Sequence, residues 1–143
     1  NGPNLKECKR LAQGLPNVFF ENNIPPSGLP ERINRADLLL GIFGNSKKAR
    51  SVIPNKVFQS LACGKTVITR NSGAYPKKLS RLNKGIIFNK SNSPEELCRI
   101  VNKMVKNSTF LHESNKHSRQ ICLEYFSAKI IITQLVNALK LAF

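Results

Sequence analysis

At 143 residues the chain is long enough for one domain with its own core. Its 41 % apolar share is that of an ordinary soluble protein, no stretch is long and apolar enough to span a membrane, and Asn1 opens no signal-peptide pattern. The unusual quantity is charge: 23 basic against 8 acidic side chains give +15.

The excess is local. Residues 1–44 hold five basic and four acidic side chains, and residues 91–143 hold seven and four. The eleven cations between Asn45 and Lys90 meet no Asp or Glu. Such a field attracts nucleic acid, an anionic membrane or a phosphorylated ligand, and does not choose among them.

In chain order, Asn1-Gly2-Pro3 reads as the turn after a strand, so the chain is expected to be a fragment. Leu5 to Leu15 reads as a helix, with Leu5, Cys8, Leu11 and Ala12 near helical spacing. Val18, Phe19 and Phe20 read as a short buried strand. Three prolines and a glycine make 22–30 a loop. A brief helix over 31–35 precedes Asp37. The apolar run Leu38 to Phe43 suits a central parallel strand covered on both faces.

The basic loop from Gly44 to Ser51 follows, with Gly44 suited to close backbone approach or positive φ. The segment 54–63 is the central helix. Proline fits its first turn and Gly64 its C-terminal cap. Val57, Phe58, Leu61 and Ala62 form its buried face, leaving Asn55, Lys56 and Gln59 free. Val67 and Ile68 form the next strand, 75–81 a short helix, and 86–88 a fourth strand. Ser93-Pro94-Glu95-Glu96 is a capping box, and the helix it starts buries Leu97, Ile100, Val101 and Met104. Helices over 109–125 and 127–141 close the chain. His112 and His117 read as exposed.

Alternating strands and helices give an α/β fold with a parallel sheet. Cys8, Cys63, Cys98 and Cys122 form no C-x-x-C pair, so no metal site is expected. Three of them fall on or near apolar helical faces, and all four read as reduced thiols of a cytoplasmic protein.

A helix N-terminus carries unpaired N–H groups and partial positive charge. With Lys47, Lys48, Arg50 and Lys56 flanking it, the start of the central helix is a candidate anion site, phosphate being the commonest such anion. The cations of 45–90 are therefore expected mostly on one side, around the carboxyl ends of the strands, where open α/β sheets bind ligands. A basic solvated surface on an ordinary crossover explains the same pattern.

The segment IPNKVFQSLACGKTVIT, residues 53–69, resembles the donor-binding segment of retaining glycosyltransferases of family 4, the group-1 type with the GT-B fold. NGPNLKECKRLAQGLPNVFFENNIPP is similar to the family stretch after the second strand of the C-terminal domain. LEYFSAKIIITQLVNALKLAF is similar to its closing helices. The resemblance covers nearly the whole chain and is strongest over residues 36–69.

The resemblance implies a single, N-terminally truncated, Rossmann-like domain over 1–143, with a parallel sheet and flanking helices. The parent would be a hexosyltransferase-like enzyme of polysaccharide biosynthesis, moving sugar from a nucleoside diphosphate donor to a glycan or lipid-linked acceptor. It would be cytoplasmic, peripheral at the membrane face, and completed by an N-terminal GT-B domain. The donor is substrate, and no cofactor is implied. An arginine and a lysine that hold the donor diphosphate would lie upstream, so the fragment alone should bind donor poorly or not at all and be inactive.

Carried onto this sequence, the donor site comprises Gly44, Asn45, Ser46, Lys47, Lys48, Arg50, Ser51, Asn55, Lys56 and Gln59. Asn22, Asn23 and Ile24 match the nucleobase loop. Two family glutamates, for the donor sugar and the ribose, fall at Ser51 and Gln59. Gln59 can still accept from a ribose hydroxyl, whereas Ser51 is too short to replace a glutamate. Pro54 stands where the family commonly has glycine. These departures keep a non-catalytic binding domain open as a rival. A nucleic-acid module is disfavoured, since 45–90 offers only Phe58, Tyr75 and Phe88 for stacking. No nucleophile or general base stands out.

Overall fold

The computed structural model describes residues 2–140, so Asn1 and Leu141, within the expected first turn and last helix, lie outside the described residues. Among the described residues seven helices and three strands follow one another: α1 (Leu5–Leu11), α2 (Leu29–Asn34), β1 (Leu39–Leu40), α3 (Lys47–Ser51), α4 (Asn55–Ala62), β2 (Val67–Arg70), β3 (Ile86–Asn89), α5 (Pro94–Val105), α6 (Ser108–Phe126) and α7 (Ala128–Lys140). Short 3-10 turns lie at Pro26–Gly28 and Leu79–Arg81, the latter being all that forms of the helix expected over 75–81.

The sheet is parallel throughout, in the order β1-β2-β3. Leu39 is in register with Val67, and Val67 with Ile86. Parallel neighbours need crossovers, and α4 supplies the one between β1 and β2. The observed class is mixed α/β with a small parallel sheet and flanking helices.

Two strand expectations are corrected. Residues 18–20 form no strand. They pair with no strand among the described residues and run as coil, and Phe19 is 80 % exposed. The run 38–43 is an edge, not a centre. Only Leu39 and Leu40 form its ladder, although Gly41 N–H still donates to Ile68 O at 2.7 Å and Arg70 N–H to Ile42 O at 3.0 Å. Among the described residues one side of β1 meets β2 and the other meets no strand, and Leu40 is half exposed.

The core gathers between the sheet, α4 and α6. Val57 and Leu61 of α4, Val67 of β2, Leu79 and Ile86 are fully buried, with Tyr75, Phe88 and Ile121 packed against them. Phe58 is half buried, edge-on to Phe126 with ring centroids 5.1 Å apart. Ala62 is exposed, so the expected buried face of α4 is one residue too wide, and Ser60 takes a buried place. Ser60 Oγ donates to Lys56 O at 2.6 Å, the helical back-bond that lets a hydroxyl be buried.

α6 approaches the sheet through small polar residues. Ser114 and Ser118 are fully buried, four apart, with Ile121 one turn on. Ser114 Oγ accepts from Gly85 N–H and from the Thr66 hydroxyl, both at 2.8 Å. Gly85 takes φ +75°, and a Cβ there would fall 2.7 Å from Ile121 Cδ1. Arg119 caps α4 by donating to Ala62 O at 2.7 Å, while Gly64 at φ +69° ends that helix as expected. In α5 only Met104 is fully buried; Leu97, Ile100 and Val101 are half covered. Cys98, expected near that apolar face, is exposed, as is Cys8, while Cys63 and Cys122 are half buried.

Candidate functional site

β1 delivers the basic loop to the carboxyl end of the sheet, where it is held by its own backbone oxygens. Arg70, the last residue of β2, donates through Nη1 to Gly44 O and to Asn45 Oδ1, the latter at 3.2 Å. Asn92 Nδ2 donates to Phe43 O at 2.7 Å and to the same Asn45 Oδ1 at 3.1 Å. Arg50 folds back and donates to Asn45 O through Nε and Nη2, at 3.1 and 2.9 Å. Gly44 has no positive φ, so the conformational freedom expected of it is not used.

Ser46 caps α3, its Oγ accepting from Ala49 N–H at 3.1 Å, and the buried Ala49 pins that turn. Ser51 Oγ donates to Lys47 O at 2.9 Å, within its own helix. Lys47 and Lys48 project into solvent and form no ion pair among the described residues. Pro54 precedes α4 as its N-cap in extended geometry and has no side-chain bond. Asn55 and Lys56 therefore open the helix with exposed side chains.

Lys56 and Gln59, both exposed, line one groove of about 430 Å³ between α4 and α2, alongside β1. Its opposite wall carries Ile33, Arg32 and Arg35. Gln59 is also on the rim of a second groove of about 300 Å³ with Phe58, Phe126 and Ile131. Asn22 and Asn23 line a separate cleft of about 350 Å³ with Lys9 and Glu21. The two are linked at one point: Glu21 of the cleft pairs with Arg32 of the groove. Ile24 is exposed and lies against Gly28.

The site residues thus fall into three groups: the tied loop 44–51, the pair Lys56 and Gln59, and the Asn22–Asn23 cleft. Among the described residues no single pocket holds all three. Sequence reasoning missed Arg70 and Asn92, which fasten the loop, and Arg32 and Arg35, which face Lys56. Asn92 carried a readable signal, since an Asn in a turn favours the left-handed conformation it adopts at φ 57°.

Two cations of 45–90 lie away from the carboxyl ends. Lys65 and Lys84 precede β2 and β3 at the opposite end, and Lys84 Nζ is 2.8 Å from Glu113 Oε2. Near the crevice, Tyr75 and Phe88 are buried edge to face at 5.0 Å, and the Tyr75 hydroxyl lies 3.3 Å from Thr69 Oγ1. Burial raises the Tyr75 pKa, with the Thr69 bond opposing it. Ser72 Oγ, Asn89 Oδ1 and Asn92 Oδ1 are buried without a protein partner, and all three lie at or past the carboxyl ends of β2 and β3. His112 and His117 are exposed. No three His, Cys, Asp or Glu side chains gather among the described residues.

No protein-family model, curated protein or solved structure matches the chain.

Proposed function

We propose that the chain is the nucleotide-sugar-binding part of a longer retaining glycosyltransferase of the family 4 type, in which this domain holds the donor and the other domain brings the acceptor. The observation that carries the reading is the exposure of Lys56 and Gln59, three apart on α4, in one groove beside β1. Lys56 would meet donor phosphate and Gln59 a ribose hydroxyl. Arg35 on the facing wall adds positive charge there, while Arg32 is paired with Glu21.

The chemistry asks little else of this domain. Departure of a nucleoside diphosphate needs its developing charge stabilised, and lysines and helix N-termini do that. The reading is tested by calorimetric titration of the longer parent with nucleoside diphosphates. Gln59→Ala should weaken binding by about 1 kcal/mol, the scale of one neutral hydrogen bond. Lys56→Ala should cost about 1.5–3 kcal/mol, the scale of a charge-assisted bond. Affinity unchanged in both variants, with the wild type binding well, would remove the donor-site assignment.

One observation favours a second reading. Ser51 stands at a family glutamate position and spends its hydroxyl on Lys47 O, within α3. A domain that keeps the fold and binds without transferring sugar fits that loss. The two readings separate on turnover: both predict nucleotide binding, and only the first predicts product. A nucleic-acid module is disfavoured, because Tyr75 and Phe88 are buried and Phe58 packs on Phe126, leaving 45–90 without an exposed aromatic platform.

A further inference from the structure

Glu21 and Arg32 stand 11 residues apart in the chain and belong to two different openings. Arg32 lines the groove between α2 and α4, while Glu21 lines the cleft with Asn22 and Asn23. Their side chains pair across the join. The lining of the groove carries the cations Arg32, Arg35 and Lys56 and has no acid of its own. Among the described residues Arg35 and Lys56 form no ion pair. Arg32 is thus neutralised where its two neighbours are not, and the acid that neutralises it comes from the cleft.

Such a pair is easily exchanged. The Arg32 and Glu21 side chains are 42 and 49 % exposed. An exposed ion pair contributes little, because water screens it and holding two long side chains in one geometry costs entropy. A diphosphate offers the guanidinium the same fork of oxygens as a carboxylate, with more charge. It also engages Arg35 and Lys56, to which Glu21 is not bonded. The balance therefore favours transfer of Arg32 from the carboxylate to the phosphates. A ligand with a single carboxylate has no such margin.

We propose that Glu21 is a displaceable stand-in for phosphate: it holds Arg32, yields it to a diphosphate in the groove, and is then free to accept hydrogen bonds in the cleft beside Asn22 and Asn23. Glu21 thereby sets how strongly the groove takes up an anion and which anions succeed. The inference rests on the donor reading only in taking the groove as the place of the diphosphate.

The test uses the full chain and inorganic pyrophosphate, which brings the phosphates without ribose or base. Glu21→Gln removes the competing charge and keeps an amide oxygen that can accept from Arg32. Both side chains are exposed, so the variant should keep its circular dichroism. It should bind pyrophosphate about threefold to fivefold more tightly than wild type, the scale of an exposed ion pair. In wild type the Arg32 Nε–Hε resonance, assigned by its loss in Arg32→Lys, should move as pyrophosphate saturates. Acetate at the same ionic strength should leave it in place. A pair that only fastens the segment before α2 predicts the reverse for Glu21→Gln, since loosening that segment weakens binding. Equal or weaker pyrophosphate affinity in the variant, an Arg32 resonance unmoved at saturation, or an equal shift with acetate would overturn the exchange. So would the absence of pyrophosphate binding in both proteins. Exchange with pyrophosphate, without any preference for a nucleoside diphosphate over it, would uphold this inference and remove the donor reading.

Discussion

A single methyl group tests how tightly β1 is locked. Gly41 is buried, and a Cβ there would lie 2.6 Å from Thr69 Cβ and 3.3 Å from Val57 Cγ2. Thr69 belongs to β2 and its hydroxyl lies 3.3 Å from Ile42 N, so it cannot step aside without breaking that contact. Gly41→Ala should destabilise the domain by about 1–3 kcal/mol, the usual cost of overpacking a filled site. Urea denaturation with an unchanged slope and a lower midpoint would show it. An unchanged midpoint would mean that β1 moves freely along its outer side. By contrast, Lys56→Ala and Gln59→Ala touch no core residue and should leave stability within about 0.5 kcal/mol.

Among the elements, those punctuated locally were legible and those defined by a distant partner were not. α4 was readable because Pro54 and Gly64 bracket it, although Pro54 stands before the first turn as the N-cap and not within it. α5 was readable from Ser93 and Glu96: Ser93 Oγ accepts from Glu96 N–H at 3.1 Å. The return half of the expected capping box goes elsewhere, because the Glu96 carboxylate takes Ser91 N–H at 2.6 Å. Ser93→Ala should therefore cost about 1 kcal/mol, seen as a lower denaturation midpoint. Residues 18–20 and the edge position of β1 were not legible, since an apolar run does not say whether a neighbouring strand exists. The burial of Ser114 and Ser118 was hidden for a similar reason. Their polarity suggests surface until Gly85 is seen opposite them.

Acid should loosen the contacts these elements make. Glu113 is held below the usual carboxylate range by its bond to Lys84, and Glu96 by its bonds to Ser91. A lowered folded pKa contributes stability that is present above the ordinary value and is lost as pH falls through the lowered one. The denaturation midpoint should therefore drop on acidification below the carboxylate range. Glu113→Gln should flatten part of that dependence. A variant with the same pH profile as wild type would show that the Lys84–Glu113 pair contributes nothing to it.

At the scale of the whole molecule, the α/β class with a parallel sheet was legible, and the exceptions to the expected gathering of charge were not. The eleven cations of 45–90 follow one another in sequence, but chain order places Lys65 and Lys84 at the amino end and Lys90 at the carboxyl end of the same sheet. Arg50 and Arg70 are also spent on the backbone of the loop they were expected to charge. What remains is a groove with Lys56, Gln59, Arg32 and Arg35 on facing walls, joined to the Asn22–Asn23 cleft through Glu21 and Arg32. The central claim is that a nucleoside diphosphate binds along this line. Amide chemical-shift mapping of this domain, with nucleoside diphosphate added to millimolar concentration, tests it directly because it registers weak binding. The account predicts saturable shifts at 32–35, 55–59 and 21–23, absent with the uncharged nucleoside. Shifts confined to Lys65, Lys84 and the face around α6 would contradict it.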